Sequence, residues 1–288
     1  MPSGAIAWTI AAAAALGWSL FDLTRRFLVG RMSTWALVVW VTVGALPLIL
    51  AWGLAAGDWR LGSGYLAPGL ASVALNVVAN FAYFRSLQLS PLSVTLPLLS
   101  LTPVFSAVLG RLVLGERIGS RAWLGIVLVV AGAALLSTVK SAGSPAGFRI
   151  ETGSLLMGLV ALCWSVTLLL DKMAVLRASA PVHALVHNAG VAAGGLLALA
   201  GTGRLGELAA IRGSWLRLLA TVACGAAALT TQLYAIQHLP IGLVETLKRG
   251  VGGALAVVWG RAFFAEAVTL RKLASIALLG AGVGLLLL

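Results

Sequence analysis

Charge is scarce in this chain of 288 residues: only 10% are Asp, Glu, Lys or Arg, against roughly 25% in an ordinary soluble domain. A soluble globular domain is excluded on that ground alone. Acids are scarcer than bases, with 8 Asp and Glu against 20 Lys and Arg, a formal net charge of +12. Cysteine is nearly absent. Cys163 and Cys224 both fall inside apolar segments, so they read as small hydrophobes rather than as a disulfide framework or a zinc spacing. Motifs of catalysis are missing too. The chain has no His-Glu-x-x-His, no paired aspartates for a magnesium-diphosphate, no Gly-x-Ser-x-Gly and no Walker A sequence. Intramembrane enzymes of those types, and ATP drive within the chain, are thereby excluded, and no cofactor or metal is expected.

What is present is apolar. Sixty per cent of residues are hydrophobic, 34 are glycine, and the mean hydropathy is +1.04. Runs of about 20 apolar residues match a hydrocarbon core of roughly 30 Å. Ten such runs span 4–24, 34–56, 64–86, 91–113, 122–139, 153–171, 182–201, 215–236, 241–263 and 272–288. The expected fold class is an all-α integral membrane protein of ten transmembrane helices joined by short loops. The first run lacks a charged leader and is long, so it reads as a retained helix rather than a signal peptide. The cations cluster at helix ends, where they anchor helices to headgroups, and nucleic acid is not an expected partner. Trp35, Trp59, Trp123 and Trp215 lie near segment ends and read as interfacial anchors. Loops after odd-numbered helices hold twelve cations and even-numbered loops six. The positive-inside rule then puts both termini outside.

The chain is also written twice. Tyr83, Gln88, Pro91, Gly110, Arg111 and Glu116 recur as Tyr234, Gln237, Pro240, Gly260, Arg261 and Glu266, at offsets of 151, 149, 149, 150, 150 and 150. Trp18 and Arg26 recur as Trp164 and Lys172, both at an offset of 146. Self-similarity at half the chain length implies a two-fold architecture, with one repeat over 1–145 and the other over 146–288. The longest loop, Lys140 to Thr152, joins them. Five helices per repeat is an odd number, so the second copy enters the membrane from the opposite side. Inverted repeats place a binding site near the midplane and point to transport.

The run from Tyr83 through Gln88, Pro91, Pro97 and Pro103 to Leu114-Gly115-Glu116-Arg117 resembles the EamA-type repeat of the drug/metabolite transporter superfamily. A Gly-rich helix follows, here Gly125 to Leu136. The second copy is degenerate, keeping the acid in Phe264-Ala265-Glu266 and losing the glycine. The resemblance covers essentially the whole chain. It implies ten helices in two halves and a secondary transporter of small organic metabolites, and its motifs describe scaffold rather than substrate.

Candidate site residues are the polar groups deep in apolar segments, where ionisable side chains are costly and face a cavity or a partner. The sharpest group is in helix 9, Pro240-Ile-Gly-Leu-Val-Glu-Thr-Leu-Lys-Arg249. At 1.5 Å per residue, Glu245 lies roughly 7 Å and Arg249 roughly 13 Å beyond Pro240. Glu245 is three residues from Lys248 and four from Arg249, so it reaches either cation. One carboxylate cannot neutralise both, and the surplus positive charge suits an anionic group on a substrate. The bland reading is a buried ion network bracing the bundle. The first copy has Leu96, Leu98, Leu99 and Ser100 in the same stretch, so charge was placed in one half only.

Asn76, Asn80 and Tyr83 form a polar stripe on helix 3, answered by Thr231 and Tyr234 on helix 8; Trp18 and Trp164 are candidate aromatic walls. Interhelical hydrogen bonding is the alternative for these. His187 and Glu245 are the candidates for carrying a coupling proton. His183 reads as a solvated residue at a helix mouth, and Asp22 and Asp171 as helix-end charges. Glu116 and Glu266 are expected to tie down helix-end turns. The Gly190/Gly194 and Gly280/Gly284 pairs read as packing seams, as do Gly250, Gly252 and Gly253.

The expected function is secondary transport of a small anionic or zwitterionic metabolite by alternating access. Its expected partners are that solute, the bilayer and protons, with a homodimer left open. A flippase for a lipid or lipid-linked phosphate headgroup is the alternative, favoured by a laterally open groove. Arginine outnumbers lysine sixteen to four, which with abundant Ala and Gly points to a GC-rich gene and a bacterial inner membrane.

Overall fold

The computed structural model describes residues 4–28, 31–89, 96–137, 152–211 and 213–287. Pro91 and nearly all of the loop between the halves lie outside them. The described residues form ten α-helices: α1 (Gly4–Arg26), α2 (Thr34–Ala56), α3 (Leu66–Leu89), α4 (Thr102–Leu114), α5 (Ser120–Ser137), α6 (Thr152–Val175), α7 (Ala180–Gly201), α8 (Trp215–His238), α9 (Ile241–Phe264) and α10 (Leu270–Leu287). Short 3-10 segments cover Leu96–Leu101 and Leu205–Ile211. One isolated backbone bridge, Leu61 to Ala178, is the extended pairing among these residues. The chain is an all-α, multi-pass membrane protein, each helix falling on one of the ten apolar runs. Seven helices are long and apolar enough to cross a bilayer. Helix α9 is as long, but carries Glu245, Lys248, Arg249 and Arg261 along its length.

Local chemistry sets the helix ends. Ser33 caps α2 by accepting a hydrogen bond from the Ala36 amide at 3.3 Å, and the helix stops at Gly57, which takes a left-handed conformation at φ 63°. Pro181 occupies the first turn of α7, where a missing amide hydrogen costs nothing. The fourth apolar run is not helical in one style throughout. Residues Leu96–Leu101 wind as a 3-10 helix, and α4 begins at Thr102 with Pro103 in its first turn.

The helices gather into two compact units, and each unit draws on both halves of the sequence. One comprises Met1–Val77 and Leu170–Leu239, the other Val78–Leu169 and Pro240–Leu288. In the first unit α1 packs on α8 and α2 on α7; in the second α4 packs on α9 and α5 on α10. Each of these pairs joins one helix from each sequence half. In the second unit the C-terminal part of α3 also meets the N-terminal part of α6, with Ala82 against Met157, Val160 and Ala161.

Small residues make these pairings possible. A side chain at Gly17 would meet the Cα of Ala228 at 3.0 Å, and one at Gly242 the Cα of Ala107 at 2.6 Å. Gly125 and Gly282 face each other across α5 and α10, each 2.7 Å (as an added Cβ) from a backbone atom or side chain opposite. Gly190 and Gly194 do receive Val73 and Val77, as a packing seam requires. Gly280 and Gly284 do not: among the described residues nothing approaches either within 4 Å, and the seam of α10 runs through Gly282 on the adjoining face. Gly250 packs on Val283 and Val129, whereas Gly252 is open.

Candidate functional site

Helix α9 holds the charge cluster within the second unit. Gly242 lets the first turn of α9 lie against Ala107 of α4, which buries the next turn: Glu245 is only 4% exposed. Its carboxylate is met from three sides. Lys248 forms an ion pair with Oε2, Arg249 donates from Nε to Oε1 at 2.9 Å, and Thr102 donates its hydroxyl to Oε1 at 2.8 Å. Arg249 Nε also lies 3.1 Å from the Thr102 hydroxyl oxygen. Thr102 is held in turn, since its carbonyl accepts from Ser165 at 3.2 Å. The three- and four-residue spacings of one helical face therefore produce the pairing they imply.

Among the described residues the cluster is not charge-balanced. One carboxylate faces two cations, whose side chains are 22% and 27% exposed, so a net positive charge sits on a largely buried face. Among the described residues the hydrogen bonds of Arg249 all start from Nε. Its two terminal amino groups remain, and this is the planar fork that matches a carboxylate or phosphate. A recess of about 450 Å³ lies elsewhere in this unit, at the α4–α5 turn, lined by Arg111, Gly115, Glu116, Arg117 and Ile118. It does not include the Glu245 cluster.

The remaining candidates divide between the units. Asn80, Tyr83 and Trp164 belong to the second, as does the α9 cluster, and Tyr83 stacks at a tilt on Trp164 with ring centres 5.5 Å apart. Asn76, Trp18, Tyr234 and His187 belong to the first. There Trp18 meets Phe21 edge-on at 5.6 Å, Tyr234 lies over His238 at 4.7 Å, and Asn76 Nδ2 lies 3.4 Å from His187 Nε2. Thr231 bonds back to the Ala227 carbonyl of its own helix. The stripe of Asn76, Asn80 and Tyr83 shares a helix face, but α3 changes unit between Val77 and Val78, so its members serve different neighbourhoods.

Two expectations are corrected in the first unit. Asp171 is not a helix-end charge: α6 continues to Val175, and Asp171 is 4% exposed. His183 is not solvated but fully buried. The two join His187, Tyr65 just ahead of α3, and Ser72 and Asn76 of α3 in one polar network. His183 Nε2 lies 3.1 Å from Asp171 Oδ1 and its Nδ1 lies 3.1 Å from the Tyr65 hydroxyl. Ser72 donates to the same Asp171 oxygen, and His187 Nδ1 lies 3.8 Å from it. Two signals pointed this way: an acid in a chain with few of them, and histidines four residues apart on one helix face. Asp22, by contrast, is an exposed partner of Arg25 at 2.8 Å, a helix-end charge as expected. Outside the helices, Arg60 beside Asp58 holds that carboxyl below its ordinary pKa, a solvent-facing loop pair with no sign of a site.

Glu116 and Glu266 do tie down turns. Each follows a helix that ends in a left-handed residue, Gly115 at φ 67° and Ala265 at φ 52°. In each the acid's amide bonds back to a glycine carbonyl, Gly110 at 3.1 Å and Gly260 at 3.0 Å. A side chain at Gly260 would meet the Glu266 carboxylate at 2.7 Å, and one at Gly110 would overlap that of Glu116. Glu116 does more: its Oε2 accepts from the Ile241 amide at 3.0 Å. It caps the N-terminus of the helix that carries the charge cluster, satisfying an otherwise orphaned donor.

Comparison with known proteins agrees with this architecture. The model of the EamA-like transporter family matches residues 5–138. A protein of Sinorhizobium sp., named "Uncharacterized transporter in cobO 3'region", is 36% identical over 100 residues, covering 33% of this chain and 71% of that protein. A solved structure, described only as a crystal structure of a protein, superposes with a TM-score of 0.80 over 98% of this chain and 96% of the other at 20% identity. That likeness establishes the fold. Helical architecture and family match together define a membrane transporter. The chain belongs to the EamA-like transporter family.

Proposed function

We propose that the protein is a secondary transporter, an exporter or exchanger, of a small anionic or zwitterionic organic metabolite. It works by alternating access of two inverted five-helix repeats in a bacterial inner membrane. The observation that carries this reading is the α9 cluster: two cations, one buried carboxylate, and an Arg249 whose terminal amino groups make no hydrogen bond among the described residues. Lys248 and Arg249 hold the negative group of the solute. Glu245, gripped by both cations and Thr102, supplies the counter-charge that makes two cations tolerable there when no solute is bound. Binding an anion completes the neutralisation, so the loaded cluster is easier to carry through a low-dielectric interior than the empty one.

The test begins with a thermal-shift screen of carboxylate and phosphate metabolites on the purified protein, followed by flux of each stabilising compound in proteoliposomes. Lys248→Ala and Arg249→Ala should each lose transport while remaining folded. Full flux in both would end this reading. Stabilisation by phospholipid headgroups alone, with no soluble metabolite effective, would favour a lipid flippase instead.

A further inference from the structure

We propose that Asp171, His183 and His187 form a binding site for a divalent transition-metal cation of the zinc class, bound within the first unit and separate from the α9 cluster. All three residues are buried, and they offer one carboxylate oxygen and two imidazole nitrogens that lie within 4.8 Å of one another. Tetrahedral ligands about 2.1 Å from zinc sit roughly 3.4 Å apart. The observed 3.1 Å from His183 Nε2 to Asp171 Oδ1 and 3.8 Å from His187 Nδ1 to the same oxygen straddle that value. Small rotations of the His187 ring complete the set.

Three further observations point to a cation. First, the outer nitrogens of both rings lie against a polar partner, His183 Nδ1 against the Tyr65 hydroxyl at 3.1 Å and His187 Nε2 against the Asn76 amide at 3.4 Å; with the Asn76 amide turned so that its oxygen accepts the Nε2 proton, the Nδ1 lone pair faces inward. That is how ligating imidazoles are oriented, one nitrogen fixed by an outer partner and the other presented inward. Second, His187 Nδ1 is buried, faces the carboxylate, and has no hydrogen-bond partner among the described residues, an atom whose lone pair a metal would use. Third, the charge of Asp171 is not met by a lysine or arginine: among the described residues its partners are Ser72, His183 and His187. A buried carboxylate needs a positive charge beside it, and two nitrogens with one oxygen form a donor set suited to zinc-class ions. The ion would clip α7 to α6, with the start of α3 as its outer shell.

The experiment uses the full-length protein in detergent, stripped with chelator and with any polyhistidine tag removed, titrated with Co²⁺ and Zn²⁺ alone. One ion should bind per chain, with the visible absorption of four-coordinate Co²⁺, and Zn²⁺ should displace it. Asn76→Ala, which removes an outer-shell partner and no ligand, should weaken binding about 10–100-fold, and His187→Ala should abolish the Co²⁺ signal, while Lys248→Ala leaves it unchanged. Absence of saturable binding to the native protein, or a Co²⁺ spectrum that survives His187→Ala, would overturn the assignment. Because the first of these needs no variant, a misfolded mutant cannot rescue the proposal. Loss of transport in Lys248→Ala with Co²⁺ binding intact would separate this site from the transport reading.

Discussion

Replacing Glu245 by Gln should destabilise the protein more than removing either of its cations, because the acid is what makes both tolerable. The substitution preserves size and leaves an amide oxygen for Thr102, which now donates at 2.8 Å. It removes the ion pair with Lys248 and the charge-assisted bond from Arg249. Such bonds contribute about 1.5–3 kcal/mol each, and stranding buried charge adds to the loss. Water recovers part of it, since the two cationic side chains are 22% and 27% exposed. The net cost should be roughly 2–4 kcal/mol. Lys248→Met or Arg249→Met leaves Glu245 with one cation and Thr102, and should cost about 1–2 kcal/mol. The double variant Glu245→Gln/Lys248→Met should then be less destabilised than the sum of its parts, with a coupling of at least about 0.5 kcal/mol. Equilibrium denaturation of the purified protein measures all four. Native-like stability in Glu245→Gln, or additivity in the double variant, would show that the acid does not neutralise these cations.

The remaining predictions concern the scaffold that presents the cluster. Glu116→Ala removes the cap on α9 and should cost about 0.5–2 kcal/mol in the same denaturation assay, whereas Glu116→Asp should recover part of this if the shorter chain still reaches Ile241. Gly242→Ala places a methyl 2.6 Å from Ala107 and should cost about 1–3 kcal/mol by forcing α9 away from α4. Gly252→Ala and Gly280→Ala, where no described residue lies within 4 Å, should be neutral or gain up to about 1 kcal/mol from helix propensity. A melting-temperature series on these variants separates the two kinds of glycine. At the paired turns, Gly115→Ala should destabilise and Ala265→Gly should stabilise, each by about 1 kcal/mol, since both positions have positive φ.

Much of this architecture was legible in the sequence because bilayer crossing is a one-dimensional constraint. A helix needs a fixed length of apolar residues, and nine of the ten runs fell on helices with ends shifted by a few residues, as in 182–201 against Ala180–Gly201; in the fourth, 91–113, the α-helix begins only at Thr102 after a 3-10 segment. The α9 cluster was equally readable, since spacings of three and four on a helix decide which side chains meet. Asp171 and His183 were misread because burial comes from other helices. Nothing in the local sequence says that Ser72 and Tyr65 lie over Asp171 and His183, more than 90 positions away along the chain. The seam on α10 failed for a related reason: Gly280, Gly282 and Gly284 are equivalent as residues, and only the position of α5 selects Gly282. The second copy's turn, keeping Glu266 while Ala265 replaces the glycine, shows the acid and the geometry persisting without the residue that best favours the bend.

The most direct test of the central claim is solute counterflow in proteoliposomes, using the anionic metabolite that most raises the melting temperature of the native protein. With Arg249→Lys the flux should fall at least tenfold, because an ammonium cannot reproduce the bidentate fork, and with Lys248→Ala/Arg249→Ala it should vanish while the protein remains folded. Native flux of an anionic solute through the folded double variant would contradict the account.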